Sequence, residues 1–107
     1  MRLHERFEWD EAKAQANLAK HGVAFEDAAA ALADESADRF HLERHDQAHS
    51  TNEDRFITLA PDPQDRSILY SIVWTDRGDA RGPVTRIISA RMTSRAERRS
   101  YERQVEW

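Results

Sequence analysis

Arginine carries most of the chemistry this chain could do. Residues 77–107 hold eight arginines, no lysine and four acidic residues, for +4, while residues 1–76 hold eight Lys or Arg and sixteen Asp or Glu, for −8; the net charge of −4 is their sum. A guanidinium grips phosphate through a two-pronged fork and stacks on bases, whereas an ammonium acts as a point charge. An arginine-only block therefore fits nucleic acid or an acidic protein partner, with a merely solvated helix face as the alternative. Arg77, Arg86 and Arg91 are the candidates for holding a phosphate while charge grows on it. For moving a proton the candidates are His49, Glu53 and Tyr101. His49 lies in the polar run HDQAHSTNED, and Glu53 has Arg55 two residues away as an ordinary ion-pair partner. Trp74, beside the arginines, suits either base stacking or the core.

Regular elements must hold these groups. In TRIISARM the β-branched pair Ile87–Ile88 reads as a strand, and strict alternation sends Thr85, Ile87, Ser89 and Arg91 to one face and Arg86, Ile88, Ala90 and Met92 to the other. Each face then carries an arginine, which places the strand between a core and a second functional surface. Ser94 and Glu97 fit the S-x-x-E capping box and start a helix. On it Arg95, Arg98, Arg99 and Arg103 fall within about 140° of one another, with Tyr101 and Val105 at their margin.

Upstream, Glu5–Trp9 reads as a first strand, with Phe7 and Trp9 on one face. Asp10 caps a helix over Glu11–His21 that Gly22 closes. Lys13, Asn17 and Lys20 line up on it, and Lys20 and His21 suit the negative end of its dipole. A second, alanine-rich helix covers Phe25–Ala33. Ala37–Arg44 alternates as a strand near an edge, His45–Asp54 is a polar loop, and Arg55–Ala60 is the next strand. Pro61–Asp65 turns the chain, Ser67–Thr75 is the most hydrophobic strand and belongs mid-sheet, and Asp76–Asp79 turns again. The expected fold class is α+β: a mostly antiparallel sheet with two N-terminal helices packed on one face and a C-terminal helix.

Length and composition narrow the function. The 107 residues suit a single domain spanning 1–107, and the absence of cysteine removes disulfides and thiolate metal sites. The charged first twenty residues contain no apolar run, so neither a signal peptide nor a membrane span is expected, which points to the cytoplasm. Gly22, Gly78 and Gly82 stand alone, so no phosphate loop is written, and no nucleophile elbow is present. His45 and His49 have metal-like spacing but no third ligand beside them, so no metal and no cofactor is expected.

Three segments, FEWDEAKAQANLAKHGVAFEDA, WTDRGD and TRIISARMTSRAERRSYERQ, resemble in order and spacing the BrnT family, the toxin half of a bacterial type II toxin–antitoxin pair. The resemblance is weak over Ser36–Ser67. It implies a RelE-like fold and an endoribonuclease that uses the substrate's own 2′-hydroxyl as nucleophile, with no metal, and so inhibits translation. It also implies an RNA-binding surface, for which the residues themselves offer Trp74, Lys13, Lys20, Arg95, Arg98, Arg99 and Tyr101; the catalytic candidates Arg86, Arg91, Arg77, His49 and Glu53 come from their chemistry, and the resemblance does not choose among them. The implied partner is a BrnA-type antitoxin, through which alone operator DNA is reached; the other class of function is a non-catalytic antitoxin-binding module in an autorepressor complex. Ala24 departs from the serine cap usual in BrnT-like chains, at a local cost on the order of 1 kcal/mol. Pro61 and Pro63 make the next turn stiffer than in the family.

Overall fold

The computed structural model describes residues 3–36, 40–49, 52–105 and 107. The elements run β1 (Phe7–Glu8), α1 (Glu11–His21), α2 (Phe25–Ala33), β2 (Leu42–His45), a 3₁₀ turn (Gln47–His49), β3 (Arg55–Pro61), β4 (Leu69–Asp76), β5 (Thr85–Met92) and α3 (Arg95–Arg103). The five strands form one sheet in the order β1-β5-β4-β3-β2, with the hydrophobic β4 at its centre.

The sheet is mixed, which corrects the expectation of a mostly antiparallel one. β2 to β5 pair antiparallel, but β1 lies parallel to β5, Phe7 opposite Thr85 and Glu8 opposite Arg86. The reason is topological: β1 reaches β5 only after the whole intervening chain, and such a long crossover permits parallel pairing. β1 is also shorter than expected, because Trp9 leaves the sheet to pack edge-on against Phe25 at 5.9 Å. The edge strand begins at Leu42 and not near Ala37; Ala37, Asp38 and Arg39 lie outside the described residues. Phe40 is tied instead to α3, its ring 5.6 Å from that of Tyr101 and its carbonyl accepting the Tyr101 hydroxyl at 2.6 Å.

The helix ends follow from local residues. The Asp10 carboxylate accepts the Lys13 N–H, and Gly22 takes φ 70° and donates its N–H to Leu18. Ala24 offers α2 no side-chain cap. Phe25, Ala28, Ala31 and Leu32 of α2, with Ala14 of α1, enter a core with Ala60, Tyr70, Ile72, Trp74, Ile87 and Ala90 of the sheet. The α2 alanines leave room for the helix to approach the strands closely.

A bulge in β5 overturns strict alternation. Val73 faces Ser89, yet Trp74 faces Ile87, so Ile88 has no opposite residue on β4. Arg86 opposes Thr75 and Arg91 opposes Ser71, two positions on the same face of β4. Both arginines thus share the outer face, away from the core residues Tyr70, Ile72 and Trp74, where alternation alone had separated them.

Candidate functional site

Cross-strand register builds the outer face row by row. One row reads Arg55, Thr75, Arg86, Glu8; the next reads Arg44, Ile57, Val73, Ser89; the third reads Leu42, Leu59, Ser71, Arg91. Arginine thus occurs in every row, around a floor of Ile57 and Val73. Of these, Arg44 and Arg55 escaped the sequence reading as site residues. Their signal was the phase of β2 and β3, which becomes readable only once Arg44 is known to oppose Ile57, and Arg55 to oppose Thr75.

At the first row the charges gather. Arg86 Nη1 lies 2.5 Å from Glu8 Oε2. Glu53 Oε1 is 3.3 Å from Arg55 Nε, while its Oε2 is 3.8 Å from Arg77 Nη1, so one carboxylate ties together two arginines from different strand ends. At the Glu53–Arg55 pair a cavity of about 440 Å³ is lined by Ala48, His49, Asn52, Glu53 and Arg55. Here two expected proton-moving candidates, His49 and Glu53, meet a cation. The Asp46 carboxylate lies 3.0 Å from His49 Nδ1, with the Asp46 side chain 8% exposed and the His49 side chain 70% exposed. His45 turns elsewhere, its Nε2 3.0 Å from Asp54.

Arg91 stands apart from this group. Four positions separate Thr75 from Ser71 on β4, so the backbones of Arg86 and Arg91 are about 13 Å apart along the strand, and their side chains turn to different carboxylates, Glu8 and Glu97. Arg91 is held by Glu97 through two bonds of 2.7 and 2.9 Å. The same carboxylate accepts the Ser94 N–H at 2.7 Å, completing the capping box. Burial opposes ionisation of Glu97, but its bonds to Arg91 and Ser94 outweigh it and hold the carboxyl below the usual range.

The remaining candidates are dispersed. Trp74 is 2% exposed, its Nε1 donating to Thr58 Oγ1 and its ring stacked on Phe56 at 4.8 Å and met edge-on by His4; it packs in the core and, with Glu53, Thr75 and Asp76, lines a separate cavity of about 520 Å³. Tyr101 fastens α3 to Phe40. Arg98 donates to the Ser67 carbonyl at 2.7 Å, and Arg95 and Arg99 are exposed on α3. Lys13, Lys20 and His21 surround a shallow cavity of about 240 Å³ that Ile88 and Ser89 complete at the β5 margin. Asn17, in line with these lysines, is structural: its amide donates to Ala90 and Val23 carbonyls at 2.8 and 3.0 Å and accepts the Ala90 N–H at 3.2 Å.

Carboxylates screen Arg86 and Arg77 without removing them. Arg77 remains 53% exposed and Arg86 29% exposed, so an incoming phosphate can compete for both. A cationic ledge beside an oriented imidazole suits phosphodiester chemistry. No described helix is long and apolar enough to cross a membrane. Residues 9–97 match a family model described as a ribonuclease toxin, BrnT, of type II toxin–antitoxin systems. No curated protein matches the sequence.

Proposed function

The chain belongs to the BrnT family of type II toxin–antitoxin ribonuclease toxins, and we propose that it is a metal-independent endoribonuclease acting through the substrate's 2′-hydroxyl. The observation that carries this reading is the meeting of His49, Glu53 and Arg55 in one cavity, with Arg77 joined to them through Glu53. The scissile phosphate sits against Arg55, Arg77 and Arg86. His49 takes the 2′ proton, O2′ attacks phosphorus, the P–O5′ bond breaks, and the leaving oxygen takes a proton from water in the open cavity, whose hydroxide then takes the proton held by His49. The products are a 2′,3′-cyclic phosphate and a 5′-hydroxyl. The arginines neutralise charge on the pentacoordinate phosphate, the largest expected contribution. Glu53, paired with Arg55 and Arg77, positions them. Arg91, Lys13, Lys20 and Arg95, Arg98 and Arg99 hold phosphates farther along the strand. In this reading the fold is RelE-like, the protein acts in the cytoplasm to inhibit translation, and a BrnA-type antitoxin both neutralises it and brings it to operator DNA.

The test is cleavage of total RNA by purified protein in EDTA, with and without the antitoxin encoded beside it. Cleavage that survives chelation and stops on adding antitoxin supports the reading. Intact RNA at micromolar protein, with tight antitoxin binding, overturns it in favour of a binding module. One observation favours that second reading: Arg95, Arg99 and Arg103 on α3 have no carboxylate partner among the described residues, leaving them open to an acidic antitoxin segment. Substituting Arg95, Arg98 and Arg99 separates the two, since loss of antitoxin binding with retained cleavage assigns α3 to the partner.

A further inference from the structure

We infer that Asp46 is the positioning residue of His49, fixing which imidazole nitrogen faces the substrate; this rests on the catalytic reading above. Asp46 lies at the mouth of the 3₁₀ turn, its N–H donated to the Arg55 carbonyl at 2.7 Å and its residue 6% exposed. His49 follows three residues later, its own N–H returning to the Asp46 carbonyl at 3.4 Å. The turn thereby brings the buried carboxylate against Nδ1 at 3.0 Å while the rest of the ring projects into the cavity with Glu53 and Arg55. An ionised carboxylate only accepts, so the neutral imidazole must carry its proton on Nδ1. Nε2 then presents a lone pair to the cavity, as a base taking the 2′ proton requires. When Nε2 becomes protonated, the adjacent carboxylate stabilises the imidazolium. Because Asp46 is hydrogen-bonded to the backbone of Arg55, the same residue also fixes the base relative to the phosphate-holding strand.

Asp46→Asn and Asp46→Ala, compared with His49→Ala, test this. The first readout is ¹⁵N NMR of the His49 ring in the free protein. Wild type is expected in the Nδ1–H form, and both Asp46 variants should move towards the Nε2–H form favoured by free imidazole. The second readout is cleavage, where kcat should fall on the order of 10- to 100-fold with KM unchanged, less than the 10²–10⁴-fold loss of the base itself. An unchanged tautomer in both variants overturns the inference, and so does a changed tautomer with unchanged kcat. Failure of the catalytic reading is separately visible, as full cleavage by His49→Ala.

Discussion

Arg86 and Arg91 share one face of the sheet although five positions separate them on β5, because Ile88 is bulged out of register with β4. They differ in what binds them: Arg86 meets Glu8 of β1, whereas Arg91 is clamped by Glu97 of α3. Their substitutions should therefore separate chemistry from anchoring.

Arg86→Ala is expected to lower kcat about 10²- to 10³-fold, the scale of losing one well-placed donor to a charged transition state. The melting temperature should stay within a few degrees, since Glu8 is left 40% exposed and can be hydrated. Single-turnover cleavage with a thermal melt checks both. Unchanged kcat removes Arg86 from the site.

Arg91→Ala and Glu97→Ala should instead loosen α3. None of the α3 residues is buried, so polar latches hold it. The two bonds of a partly exposed pair, with the cap, contribute roughly 1–2 kcal/mol, which corresponds to a melt lower by several degrees. KM should rise for long RNA while kcat changes little. Hydrogen exchange across 95–103 reads the loosening directly.

Asn17→Ala should be the costliest of these changes to stability. It orphans the Ala90 N–H and C=O and the Val23 C=O at a buried site, at about 2–4 kcal/mol for groups left unpaired. Asn17→Asp should be no better, since an acceptor would replace the donor facing two carbonyls. Urea denaturation gives the comparison.

Stability should fall as pH drops from about 6.5 towards 4. Burial, and then the neighbouring His41, push the His4 pKa down to about 4, with Asp76 opposing. The unfolded chain binds a proton near the ordinary value of 6.5 that the folded chain refuses, so the stability present above pH 6.5 is lost through that window. His41 is shifted in the same direction, so His4→Gln should remove part of the slope. Glu97, held low, adds a second loss only as pH falls through the carboxylate range. Melting temperatures at pH 7.5, 5.5 and 4 test the sign.

Local signals carried much of the architecture. Asp10, Gly22, Ser94 and Glu97 act on backbone within four residues, so their caps were readable from spacing alone. Element order followed from periodicity. What escaped depends on residues far apart in sequence: the parallel pairing of β1, the bulge at Ile88, and the arginine row on the outer face each need a partner strand to define them. Trp74 was ambiguous for the same reason, since the groups that enclose it, Thr58, Phe56 and His4 among them, come from distant parts of the chain. His49 and Glu53 were legible as candidates by residue type, but Asp46 was not, because its role comes from burial.

Asn17 gives the sheet an end stop. β1 pairs with β5 only at Thr85 and Arg86, and farther along that margin a side-chain amide occupies both bonding groups of Ala90. Another strand arriving at Ala90 would find those groups taken, while the opposite edge of the sheet is β2. That four-residue margin carries Glu43, Arg44 and His45, charged or polar groups that discourage casual pairing. The fold thus guards one border by occupation and the other by brevity and charge, an economy suited to a small protein that must remain unaggregated.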